Sequence, residues 1–109
     1  MDRRTYKRLP TRIMSFLRGN SHEIEGQAVD LSPGGARFES GLTVHPGKVI
    51  AIRLLVPSVD APIEIEEALV RWVGLHQFGV EFRNLDSAER EELEQLLDEL
   101  DNVEGTGHA

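Results

Sequence analysis

Apolar and polar residues alternate with a period of two along most of this chain, which is the spacing of a strand with one buried face. In KVIAIRLLVP (48–57), Ile50, Ile52, Leu54 and Val56 alternate with Val49, Ala51, Arg53 and Leu55, so one face is wholly aliphatic. IEIEEALVRWV (63–73) sets Ile63 and Ile65 against Glu64 and Glu66, and FGVEFR (78–83) sets Phe78, Val80 and Phe82 against Gly79, Glu81 and Arg83. Each has a wet side. TRIMSFLR (11–18) and the segment 23–31 read as two more strands, joined through GNS as a hairpin. SPGG interrupts the chain after Leu31, ARFES resumes it, and HPG makes a further turn. Six short strands cannot each bury a face and hide their edges in an open sheet this small. The pattern therefore predicts a mainly β fold, a small six-stranded antiparallel β-barrel.

The period changes after Asn84. Asp86 followed by Glu89 fits a capping box, and Leu93, Leu96, Leu97 and Leu100 fall on one stripe of a helix. The expected organisation is a basic arm over 1–10, a barrel over 11–84, an amphipathic helix over 85–103 lying on the barrel, and a flexible tail over 104–109. No internal repeat interrupts it.

Length and composition fit this picture: 109 residues, 39% hydrophobic, suit one domain with one core. The absence of cysteine removes disulfides, thiolate nucleophiles and cysteine metal sites. Apolar runs are too short to span a bilayer and the N-terminus lacks a signal-like apolar segment, so a cytoplasmic location is expected. Charge changes the picture more. The net charge is −7, yet Arg3, Arg4, Lys7, Arg8, Arg12 and Arg18 all precede residue 19. Glu91, Glu92, Glu94, Asp98, Glu99 and Asp101 gather on the helix, where they read as a solvated surface. Arginines clustered at one end of an acidic chain point to a specific anion, because a general polyanion binder would be basic throughout. A guanidinium can hold a phosphate in two parallel hydrogen bonds, pair with O6 and N7 of guanine, or stack on a purine.

Catalysis finds no support in the same residues. His22, His45, His76 and His108 have no metal-ligand spacing, no serine sits in a nucleophile elbow, and the carboxylates fall on solvent faces. SPGG is not followed by a Walker lysine or a helix, so by itself it is a tight turn.

RRTYKR carries RxxxR at Arg4 and Arg8, and DLSPGG carries D/NxSxxG at Asp30, Ser32 and Gly35. In this order and separation, followed by VRWV…FGVEF and a C-terminal helix, the chain resembles single-domain PilZ proteins, bacterial receptors for cyclic di-GMP, from about Arg3 to Leu100. The resemblance implies that Arg4 and Arg8 grip guanine and phosphates while Asp30 and Ser32 hydrogen-bond the guanine base. It also implies no enzyme activity, no cofactor other than the ligand cyclic di-GMP, and a protein effector as partner.

The residue chemistry agrees. A carboxylate at Asp30 accepts from guanine N1 and N2, Ser32 offers a rotatable hydroxyl, and Gly35 leaves the backbone bare for a ligand or a strained turn. Asp30 and Ser32 also suit a turn that shapes the SPGG loop. Trp72, the single tryptophan, fits either barrel packing or a place beside the purine, and Arg3 either solvent or a second, intercalated ligand. Residues 1–9 hold only Tyr6 and Leu9 as sizeable apolar groups, too few to offset about 1–2 kcal/mol of backbone entropy per residue, so the arm is expected to order only on ligand. Two other readings stay open: an adaptor that binds only protein, and a barrel for RNA or single-stranded DNA, the latter disfavoured by net charge and the lack of an aromatic series.

Overall fold

The structure, a computed structural model, describes residues 9–19, 22–56 and 61–107. Six strands precede one helix: β1 (Leu9–Arg18), β2 (Glu23–Ser32), β3 (Gly35–Ser40), β4 (Val49–Leu54), β5 (Ile63–Gly74), β6 (Gln77–Phe82) and α1 (Ser87–Gly107). The strands close into an antiparallel barrel in the order β1-β2-β3-β6-β5-β4. Closure leaves no long free edge, as the alternation requires.

The aliphatic face of 48–57 points inward, with Ile50, Ile52, Leu54 and Val56 all buried. Phe38 and Phe78 meet inside the barrel with ring centroids 5.9 Å apart. Four irregularities in register bend the strands, at 10–13, 28–30, 50–52 and 70–72. The HPG turn depends on Gly47, whose φ of 93° an L side chain rarely adopts.

Asn84 turns the chain out of β6 with φ 55°, and its Nδ2 donates to Glu67 Oε1 at 2.8 Å. The capping box then forms as expected: the Glu89 amide donates to Asp86 Oδ1 at 2.8 Å and the Asp86 amide to Glu89 Oε1 at 3.1 Å. Leu93, Leu96 and Leu97 bury the apolar stripe of α1 against the barrel, with Leu100 packed beside them. Two boundaries differ from expectation. β1 starts at Leu9, so the first barrel residues lie inside the segment read as arm. The helix continues to Gly107, past 103, because one interior Gly costs only about 1 kcal/mol and Glu104 sustains helix well.

Candidate functional site

The β2–β3 hairpin carries the second motif. Pro33 and Gly34 form its two-residue turn, which pairs Ser32 with Gly35, Leu31 with Ala36 and Asp30 with Arg37. One step further the register shifts, so that Ala28 faces Phe38 and Val29 is the extra residue of a bulge. Ala28 and Val29 are both buried. The bulge therefore resets the alternation: Leu31 points into the core, while Asp30 and Ser32 stand on the partly exposed outer face. Had alternation run unbroken from Ala28 through Val29, Asp30 would share the inward face of Ala28.

Arg37 Nε lies 3.1 Å from Asp30 Oδ2 across the strand pair, with the side chains 42% and 18% exposed. Nε is shielded from solvent, and its N–H is aligned with no acceptor, Asp30 included. The contact is thus an ion pair held by proximity, not a directed charge-assisted hydrogen bond. Ser32 Oγ donates to the Gly35 carbonyl at 3.3 Å, so the hydroxyl helps to shape the hairpin, as the turn reading anticipates. Gly35 has no positive φ, and a Cβ there would collide with the Val80 carbonyl oxygen. The bare backbone is demanded by the close approach of β6, not by a strained turn.

A second bulge shapes the far wall. Val70 pairs with Val80 and Trp72 with Gly79, leaving Arg71 extra on β5. Trp72 is turned outward, 44% exposed, and its indole lies on Gly79, where any Cβ would collide with Nε1. Arg71 Nη1 is 3.3 Å from Glu81 Oε1. Asp30, Arg37, Gly79, Trp72, Arg71 and Glu81 together line an open groove of about 580 Å³ on the outside of the barrel. A lateral row of the sheet runs along it and continues onto β1. Pro10 pairs with Asp30, Asp30 with Arg37, Arg37 with Gly79 and Gly79 with Trp72, across β1, β2, β3, β6 and β5. At about 4.8 Å per strand, four steps span roughly 19 Å.

Of the residues singled out in the sequence, Asp30 and Trp72 thus meet in one groove, and Ser32 and Gly35 sit at its hairpin end. Arg3, Arg4 and Arg8 lie outside the described residues. Arg37, Arg71, Gly79 and Glu81 are additions. A signal for Arg37 exists in the sequence: a two-residue turn at Pro33 and Gly34 forces Asp30 opposite Arg37. His22 and His45 line a different hollow with Lys48, and among the described residues no cluster of His, Cys, Asp and Glu is placed to hold a metal.

The sequence profile of the PilZ domain matches residues 2–99. The chain belongs to the PilZ domain family. Among solved structures, the PilZ domain of CeSA from a cellulose synthesizing bacterium superposes with a TM-score of 0.71 at 17% identity, covering 87% of this chain and 98% of that one. The Bacillus subtilis inhibitor of motility MotI/DgrA superposes with a TM-score of 0.72 at 20% identity, covering 91% of this chain and 51% of that one. This PilZ chain spans about half the length of the motility inhibitor. No curated protein sequence matches it. PilZ domains are in general cyclic di-GMP-binding modules and not a known enzyme family. No helix among the described residues of this PilZ domain is long and apolar enough to cross a membrane.

Proposed function

We propose that this PilZ domain is a cyclic di-GMP receptor in which Arg4 and Arg8 of the arm and Asp30 and Ser32 of the barrel close on one ligand. The observation that carries the reading is the register of β1. Leu9 pairs with Leu31 and Pro10 with Asp30, so the strand to which RxxxR is covalently joined begins beside DxSxxG. The start of β1, which follows RxxxR in the chain, thus lies beside Asp30 at one end of the groove. Asp30 supplies acceptors for guanine N1–H and N2–H, Ser32 a hydroxyl, and the arginines bidentate partners for phosphate and for O6 and N7. Trp72 offers an apolar wall for a purine, and Arg3 extends the arm toward a second, intercalated ligand.

Ligand binding orders the arm, and the altered surface passes the signal to a protein partner. Phosphates neutralise the clustered arginines and supply the free energy that the arm lacks alone. Val73 and Leu75, 45% and 85% exposed beside Trp72, give the hairpin between β5 and β6 an apolar tip. That tip favours the second reading, an adaptor that binds protein without nucleotide.

Calorimetric titration with cyclic di-GMP, GTP and an oligonucleotide separates the readings. The receptor reading expects cyclic di-GMP alone to bind tightly, and Arg8→Lys to lose at least tenfold in affinity while folded, because lysine keeps the charge and loses the fork. Full affinity in folded Arg8→Lys, or no binding by the natural chain, would overturn it. Two ligands per chain, falling toward one in Arg3→Ala, is the expected stoichiometry.

A further inference from the structure

We infer that Arg37 is a positioning residue for guanine recognition, one that neither signature motif contains and that acts by fixing the plane of the Asp30 carboxylate. The inference rests on the groove being the cyclic di-GMP site. Its starting point is the register: the hairpin turn sets Arg37 directly opposite Asp30, and Nε approaches Oδ2 to 3.1 Å. Nε is inaccessible to water although the side chain as a whole is 42% exposed, so the inner part of the guanidinium is pinned against the barrel while the rest faces the groove.

Asp30 has two rotatable bonds, and a guanine edge presents two donors in one plane, N1–H and N2–H. Recognition of both requires the carboxylate plane to match the purine plane, and an unrestrained carboxylate loses rotamer freedom when it binds. Asp30 is only 18% exposed, so its attraction to Arg37 is less screened than that of a surface pair. On the other side of Arg37 its register partner is Gly79, which has no side chain, and beyond it Trp72 covers the glycine. Within this row the side chain facing Arg37 is therefore Asp30. The Nε–H is aligned with no acceptor, so Arg37 restrains Asp30 through charge and close approach at 3.1 Å and not through a directed hydrogen bond. Lysine cannot substitute, since it has no nitrogen at the Nε position and no planar group to hold a carboxylate plane.

The test is a set of affinities measured on the full chain. Arg37→Ala is expected to weaken cyclic di-GMP about tenfold, and to do so by less than twofold in an Asp30→Asn background, because residues that act as one unit are not additive. The preference for cyclic di-GMP over cyclic di-IMP, which lacks only the N2 amine, should shrink by a similar factor in Arg37→Ala. Arg37→Lys should resemble Arg37→Ala. Chemical denaturation of each variant without ligand confirms that the barrel is folded. Additive losses, an unchanged cyclic di-IMP ratio, or rescue by lysine would overturn the positioning role and leave Arg37 as a phosphate-facing charge. Tighter binding by Arg37→Ala would also overturn it, by making the pair a latch that the ligand must break. If the natural chain binds cyclic di-GMP, those outcomes sink only the role of Arg37; if it does not bind, the receptor reading fails and takes this role with it.

Discussion

The groove across β2, β3, β6 and β5 and the outer face of α1 both present charge, and they hold it in opposite ways. In the groove, opposite charges face each other across strand pairs: Asp30 with Arg37 at 3.1 Å, Glu81 with Arg71 at 3.3 Å. Register sets Asp30 opposite Arg37, and the β5 bulge brings its extra residue, Arg71, to Glu81. On α1 the charges are mostly acidic, with Glu91, Glu92, Asp98 and Glu99 exposed away from the buried leucines and Arg90 the one exposed cation among its described side chains. Those positions follow from the helical period and not from cross-strand register. The difference separates a surface whose charges are paired across strands from a helix face that is mostly of one charge.

Four variants test this division. The largest effect on stability belongs to the inner side of the helix: Leu93 is fully buried, so Leu93→Ala should cost about 3 kcal/mol and lower the melting temperature by roughly 15 °C. At temperatures where that variant is folded, ligand affinity should match the natural chain. Gly35→Ala comes next, at about 2 kcal/mol by denaturant titration, because its Cβ meets backbone and not a side chain that can swing away. Gly79→Ala meets only the Trp72 indole, which can move outward, so stability should change by about 1 kcal/mol or less while tryptophan fluorescence shifts and ligand affinity falls. Smallest of all, Glu91→Gln with Glu92→Gln should stay within about 0.5 kcal/mol of the natural chain and bind ligand equally well. A marked affinity change in this last pair would break the comparison by giving the acidic face a specific role.

The same division explains what the sequence made legible. Period-two alternation was enough for β4, β5 and β6, since 50, 52, 54 and 56 or 78, 80 and 82 leave no other way to bury one face, while the GNS and SPGG turn signals delimited β1, β2 and β3. The helix start was legible because Asp86 and Glu89 satisfy each other's amides locally. Its end was not, because Gly105 penalises a helix too weakly to stop it. Within the site, Asp30, Ser32 and Gly35 could be read as a motif, but the reason for Gly35 lies on β6, more than forty residues away. Arg71 and Trp72 were unreadable as neighbours on the outer face, since alternation assigns consecutive residues to opposite faces and the bulge overrides it. Arg37 was derivable from the two-residue turn, yet only by carrying hairpin register forward and not by inspecting a motif. Local chemistry was visible in the sequence. Cross-strand partnership was legible only across the tight turn at Pro33 and Gly34.

The most direct test of the groove as the ligand site is a titration of isotope-labelled protein with cyclic di-GMP followed by amide and indole N–H resonances. The account predicts that the Trp72 indole N–H and the amides of Asp30, Ser32, Arg37 and Gly79 shift together with one saturation curve, while the amides of 89–100 on α1 hold their positions. Saturable shifts confined to α1, or an indole resonance unmoved at saturating ligand, would contradict it.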